Sequence, residues 1–115
     1  MNKTLLLMIF CLSLSAQAKK FKINNGETIH ICIDKAEKPV ASTALDILKS
    51  DFRKVLCSNV CETQSEKEAH IIAEINNEIG REAFSIEVNQ AGQMVIQGGD
   101  PHGLAYGILE LSRLM

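Results

Sequence analysis

The sequence predicts an α+β fold: a small, mostly antiparallel sheet with two helices packed on one face. Three patterns predict it. Between positions 28 and 33, Ile29, Ile31 and Ile33 alternate with Thr28, His30 and Cys32, the period-two signature of a strand. From position 40 to about 57, Val40, Ala44, Leu45, Leu48, Phe52, Val55 and Leu56 recur at three- and four-residue intervals, the stripe of an amphipathic helix. Between 84 and 97, two short alternating runs flank a glycine turn, which reads as a hairpin. The expected order is strand, helix, strand, strand, strand, helix.

The chain opens with the parts of an export signal. Lys3 gives a positive start, residues 5–14 are almost unbroken apolar, and Ser15-Ala16-Gln17-Ala18 places small residues where a signal peptidase reads. An apolar core of about ten residues is too short to cross a bilayer as helix. Cys11 follows the bulky Met8-Ile9-Phe10, which argues against lipid attachment. Cleavage is expected after Ala18, so residues 1–18 are read as a signal peptide and residues 19–115 as one small α/β accessory domain. The expected location is periplasmic or extracellular, with no membrane association after cleavage.

Residues 21–26 read as a lead-in with a turn at Asn24-Asn25-Gly26. The strand at 28–33 follows, and charged residues 34–38 close it. Pro39 opens the first helix, where its missing N–H costs little. Residues 58–68 are polar and read as a loop, 69–75 as a strand, and 76–81 as a break containing Gly80. In the hairpin, Phe84, Ile86 and Val88 alternate with Ser85, Glu87 and Asn89, Gly92 serves the turn, and 94–97 return. Asp100 is then an N-cap and Pro101 a first helical residue, with Leu104, Ile108, Leu111 and Met115 on one helix face. His30, Cys32, Glu74, Ser85, Glu87 and Gln97 fall on the other sheet face, which is therefore mixed in character. The last helix reaches Met115 on an apolar stripe with no capping residue, which predicts that further sequence follows.

Composition excludes several functions. A formal net charge of −2 offers no footprint for nucleic acid, and a chain with no Trp and one Tyr lacks the stacking platforms of a lectin. Three cysteines lie beyond the leader. Cys57 and Cys61 are the candidate disulfide, provided the helix ends near Cys57, and Cys32 reads as a small buried hydrophobe. His30, His70 and His102 are not at metal-ligand spacing, so no metal and no cofactor is expected. Ser42, Ser58 and Ser112 lack any nucleophile context. Glu74 and Glu87 share a sheet face without a pocket to serve them, so no catalytic residue is assigned. The turn Gly98-Gly99-Asp100-Pro101 fits neither phosphate-loop pattern, and an acidic N-cap would repel phosphate. Gly103 and Gly107 share a helix face, each costing about 1 kcal/mol relative to Ala, which predicts close approach to a neighbouring element.

The segment from Phe84 through Gly92 to Ser112 resembles the N-terminal domain of family 115 glycoside hydrolases, the xylan α-1,2-glucuronidases. The resemblance rests on a strand and G-x-D turn followed by a G-x-x-Y-G-I-x-x-L-S helix, matched by Gly99-Asp100, Gly103, Tyr106-Gly107-Ile108 and Leu111-Ser112. A looser similarity exists to the α/β domain preceding the barrel of β-hexosaminidases and family 67 α-glucuronidases. The resemblance implies a non-catalytic domain whose partner is a following catalytic barrel in the same full-length protein, with polysaccharide or oligosaccharide reached only through that barrel. The expected function is thus an accessory domain of an exported glycoside hydrolase acting on hemicellulose. The alternative is a free-standing small periplasmic binding or interaction domain.

Overall fold

The computed structural model describes residues 4–9, 19–34 and 38–114. In chain order these form β1 (Thr4–Ile9), β2 (Lys19–Asn24), β3 (Ile29–Ile33), α1 (Lys38–Leu56), β4 (Val60–Thr63), β5 (Ile71–Ile75), a 3₁₀ turn (Asn77–Ile79), β6 (Phe84–Val88), β7 (Met94–Gly98) and α2 (Pro101–Leu114).

The main sheet has five strands in the order β4-β3-β5-β7-β6. It is mixed rather than mostly antiparallel. β3 pairs in parallel with both β4 and β5, and β5 pairs in parallel with β7. Antiparallel pairing within this sheet is confined to the β6–β7 hairpin. Two of the three parallel ladders arise because β3 and β5 are joined through a crossover and because β7, not β6, lies beside β5; the third belongs to β4, inside the polar stretch read as a loop. As an edge strand with Val60 packed against the core and Glu62, on the same face, paired with Lys49 of α1, β4 carries no apolar alternation, and its ladder to β3 holds it in place.

The α+β arrangement stands and the expected elements appear in order as β3, α1, β5, β6, β7 and α2, with β2 formed where a lead-in was expected. Ile29, Ile31, Ile33, Ile71, Ala73, Met94 and Ile96 line one sheet face. Ala41, Ala44, Leu45, Leu48, Phe52 and Leu56 of α1 and Leu104, Ile108 and Leu111 of α2 cover it. The two helices also pack on each other. Connections obey the right-handed crossover rule. From β3, the chain moves one position through α1 on the helical face to reach β4. It then moves the opposite way to β5, so right-handedness puts the second crossover on the face without helices. Residues 64–67 accordingly lie beside Cys32, Ile72 and Glu74, and Ile72 is only 7% exposed although it faces away from the helices.

β1 and β2 form a separate antiparallel pair, with Thr4 opposite Asn24 and Ile9 opposite Lys19. β1 takes in the front half of the expected leader. Cys11, the cleavage position and Met115 lie outside the described residues. From β2, Phe21 and Ile23 enter the core, and the chain turns at Gly26 (φ +80°) into β3.

Candidate functional site

The feature the sequence singles out most strongly is the junction of β7 and α2. Asp100 caps the helix: its carboxylate accepts the Gly103 N–H at 2.7 Å and the Glu82 N–H, from the segment before β6, at 3.1 Å. The Gly103 N–H, with lesser help from Glu82, His102 and Arg81, holds the Asp100 carboxyl below its ordinary value. Each glycine here answers to a close approach. A Cβ on Gly98 would lie 2.1 Å from the Leu104 nitrogen, and one on Gly99 would lie 1.5 Å from the Gly80 oxygen. At Gly103 it would meet the Ala83 oxygen at 2.2 Å, and at Gly107 the Ile96 Cγ2 at 2.6 Å. The Gly99 N–H donates to the Ala83 oxygen at 2.8 Å. The turn is therefore locked against residues 80–84, leaving no cradle for a phosphate.

On the face away from the helices, Gln97 donates to Glu74 at 2.6 Å and accepts from Asn76 at 3.3 Å. Glu74 stands opposite Gln97, whereas Glu87 stands opposite Val95. Two strand spacings and two residues thus separate the carboxylates' α-carbons, about 12 Å by standard sheet geometry. With Glu74 tied to Gln97, the arrangement does not bring this pair together.

His30 and His70 stack with centroids 5.6 Å apart, and their backbones and rings interlock. The His30 N–H donates to His70 Nδ1 at 3.0 Å, while the His70 N–H donates to the His30 oxygen at 2.8 Å. His70 thereby extends the β3–β5 ladder with its side chain. His102 is exposed at the start of α2. Among the described residues, no group of three His, Cys, Asp or Glu is disposed to hold a metal.

Cys32, Cys57 and Cys61 are free thiols in this structure. Cys57 caps α1 with φ +54°, and its N–H donates to the Arg53 oxygen at 3.1 Å. Cys61, opposite His30, faces away from the helix layer in which Cys57 sits. Burial, then the carboxylates of Glu66, Asp34 and Glu74, push the Cys32 thiol up, away from the reactive thiolate. Cys32 lies in an open depression of about 920 Å³ beside the residue 64–67 crossing.

The three serines hold structure. Ser42 donates to the Pro39 oxygen at 3.2 Å, and Ser58 is buried and donates to the Leu56 oxygen at 3.4 Å. Ser112 donates to Asp51, joining α2 to α1. Sequence reading missed Asp51 and also Gln93. The Gln93 amide donates to the Glu66 and Ala69 oxygens at 2.6 and 2.8 Å, pinning the crossing loop to the hairpin. Neither residue carries a signal in spacing, because each acts across more than 20 positions of chain.

A family GH115 4-O-methyl-α-glucuronidase with specificity for decorated arabinogalactans superimposes on 82% of this chain, with a TM-score of 0.74 and 31% identity. The chain resembles the N-terminal domain of a family 115 glycoside hydrolase. It spans only 14% of that enzyme's length. A GH138 enzyme targeting pectin rhamnogalacturonan II matches 76% of the chain, at a TM-score of 0.59 and 21% identity, and shows the fold alone. The chain covers 13% of that enzyme. No family model and no curated protein matches the chain. Both similar structures hold this fold as a small part of a much longer polypeptide.

Proposed function

We propose that this chain is the non-catalytic N-terminal domain of an exported glycoside hydrolase, an α-glucuronidase acting on hemicellulose. The observation that carries the reading is the 31% identity to a family GH115 enzyme over 82% of this chain, set against 14% of that enzyme. In this reading the catalytic barrel belongs to the same full-length protein, and any sugar is reached through it. The domain meets the barrel through its surface. Gly103 and Gly107 are spent internally against Ala83, Phe84 and Ile96, so the contact falls to the mixed sheet face or to the outer helix face. The helix face carries Val40, Ile47, Tyr106 and Leu109, each at least 37% exposed. Export through the leader puts the enzyme where its polymer is.

The test is the coding sequence beyond Met115. The expected result is an in-frame catalytic barrel. A stop codon followed by no barrel sequence in any frame would overturn the reading for this locus. The purified chain by itself is expected to release no glucuronic acid from decorated xylan, and turnover by it alone would refute the non-catalytic role.

A further inference from the structure

We infer that β2 is a strand-accepting edge, completed in the exported protein by an extended segment from a partner chain with a carboxylate facing Lys22. The inference rests on removal of the leader, as proposed above. β2 is anchored but unpaired by the body of the domain. Phe21 and Ile23 are 2% and 0% exposed within the core, yet β2 makes no ladder to the five-stranded sheet. Its strand partner among the described residues is β1, antiparallel along all six positions from Thr4 opposite Asn24 to Ile9 opposite Lys19.

Cleavage after Ala18 removes β1 and leaves the β2 backbone groups that paired with it without partners as far as Ile23, while Asn24 stays bonded to Glu27. Such an edge is a template for an added strand. Because the buried side chains of Phe21 and Ile23 already hold β2 in place, the incoming strand alone bears the ordering cost. Charge selects the occupant. Lys22 is exposed and stands opposite Leu6 of β1, with Lys20 opposite Met8. A natural occupant places an acidic residue at the Leu6 register position, since opposite charges directly across an antiparallel pair are favourable and like charges unfavourable. A second copy of β2 is a poor occupant, because Lys19, Lys20 and Lys22 would bring like charges together.

The experiment uses the full chain carrying Leu6→Pro and Met8→Pro, which unpair β1, and two labelled hexapeptides, TVEVEV and TVKVKV. Fluorescence anisotropy is expected to show the glutamate peptide binding at least tenfold more tightly than the lysine peptide. The unaltered chain should bind neither, Lys22→Glu in the unpaired chain should abolish the preference, and Lys20→Glu with Lys22→Glu should reverse it. Equal affinities, or no binding to a folded unpaired chain, would overturn the inference. Should the prolines prevent folding, a protease site placed within residues 10–18 frees β1 after folding and permits the same measurement. Intact mass of the exported protein separates the two failures: a start at Lys19 supports leader removal, and a start at Met1 refutes it independently of how the peptides behave.

Discussion

Replacing Gly103 and Gly107 by alanine, one at a time, separates steric lock from helix propensity within a single helix. Either substitution gains about 1 kcal/mol of intrinsic helix preference. The new methyl at 103 would sit 2.2 Å from the Ala83 oxygen, more than an ångström inside an ordinary contact of roughly 3.5 Å. That oxygen cannot yield freely, because it accepts the buried Gly99 N–H at 2.8 Å. Overpacking strain of about 1–3 kcal/mol therefore adds to a weakened buried hydrogen bond of about 1–3 kcal/mol. Net of the helix gain, Gly103→Ala should destabilise by about 3 kcal/mol. At 107 the methyl would meet the Ile96 Cγ2 at 2.6 Å and the Phe84 Cβ at 3.3 Å. The Ile96 Cγ2 is fixed to a fully buried, β-branched side chain, so overpacking of about 1–3 kcal/mol outweighs the helix gain and Gly107→Ala should destabilise by about 1 kcal/mol. Urea unfolding followed by far-ultraviolet circular dichroism measures both. A loss of about 3 kcal/mol corresponds to a drop of roughly 12–24 °C in Tm for a domain of this size. Equal losses at the two positions, or a Gly103→Ala variant as stable as the parent, would refute the idea that residues 80–84 form the lock.

Cys57→Gly should raise stability by about 1 kcal/mol in the same urea assay, because Cys57 holds the left-handed helix-ending conformation that costs non-glycine residues about that much. Ser112→Ala should cost about 1–2 kcal/mol by removing the buried link to Asp51, while Ser42→Ala, at an exposed bond, should change little. For pH, the lowered Asp100 carboxyl contributes stability that is present above its unfolded value near 4 and lost as pH falls through its lower folded value. Asp100→Asn should therefore flatten the acid limb of the stability curve below about pH 4, and an unchanged limb would show that the cap does not sense protonation.

Periodicity made β3, α1, the hairpin and α2 legible, because each buries a face that writes its own repeat into the chain. Ile29, Ile31 and Ile33 need no partner to be recognised as a strand. Pairing direction is a different kind of information. It depends on which strand lies beside which, as with β7 beside β5, and on β4, where Val60-Cys61-Glu62-Thr63 contribute one core side chain between them and pair along the β3 edge. Once β4 exists, chirality fixes the remainder: α1 occupies one face, and the return to β5 must cross the other. The open face is therefore less open than its sequence suggests, with Ile72 covered and Gln93 bound to the crossing loop. His70 shows the same limit. It reads as an isolated polar residue, yet it supplies the acceptor that a neighbouring strand would ordinarily provide.

The glycine-rich junction was legible as a turn, and its residues divide by task once their neighbours are known. Gly98, Gly99, Gly103 and Gly107 permit contact, Asp100 caps, and Ile108, Leu111 and Ser112 are buried. Tyr106 alone among the distinctive residues of the motif points outward, 45% exposed. Tyr106 lies on the exposed helix face proposed above to meet the barrel. Tyr106→Ala should then leave the unfolding midpoint of the isolated chain within about 0.5 kcal/mol of the parent, as expected for an exposed position. In the full-length enzyme the same substitution should speed limited proteolysis at the junction between domain and barrel, since truncating an aromatic anchor costs about 2 kcal/mol or more at an interface centre. A destabilised isolated chain with an unaltered proteolysis rate would place Tyr106 in the fold rather than at the interface.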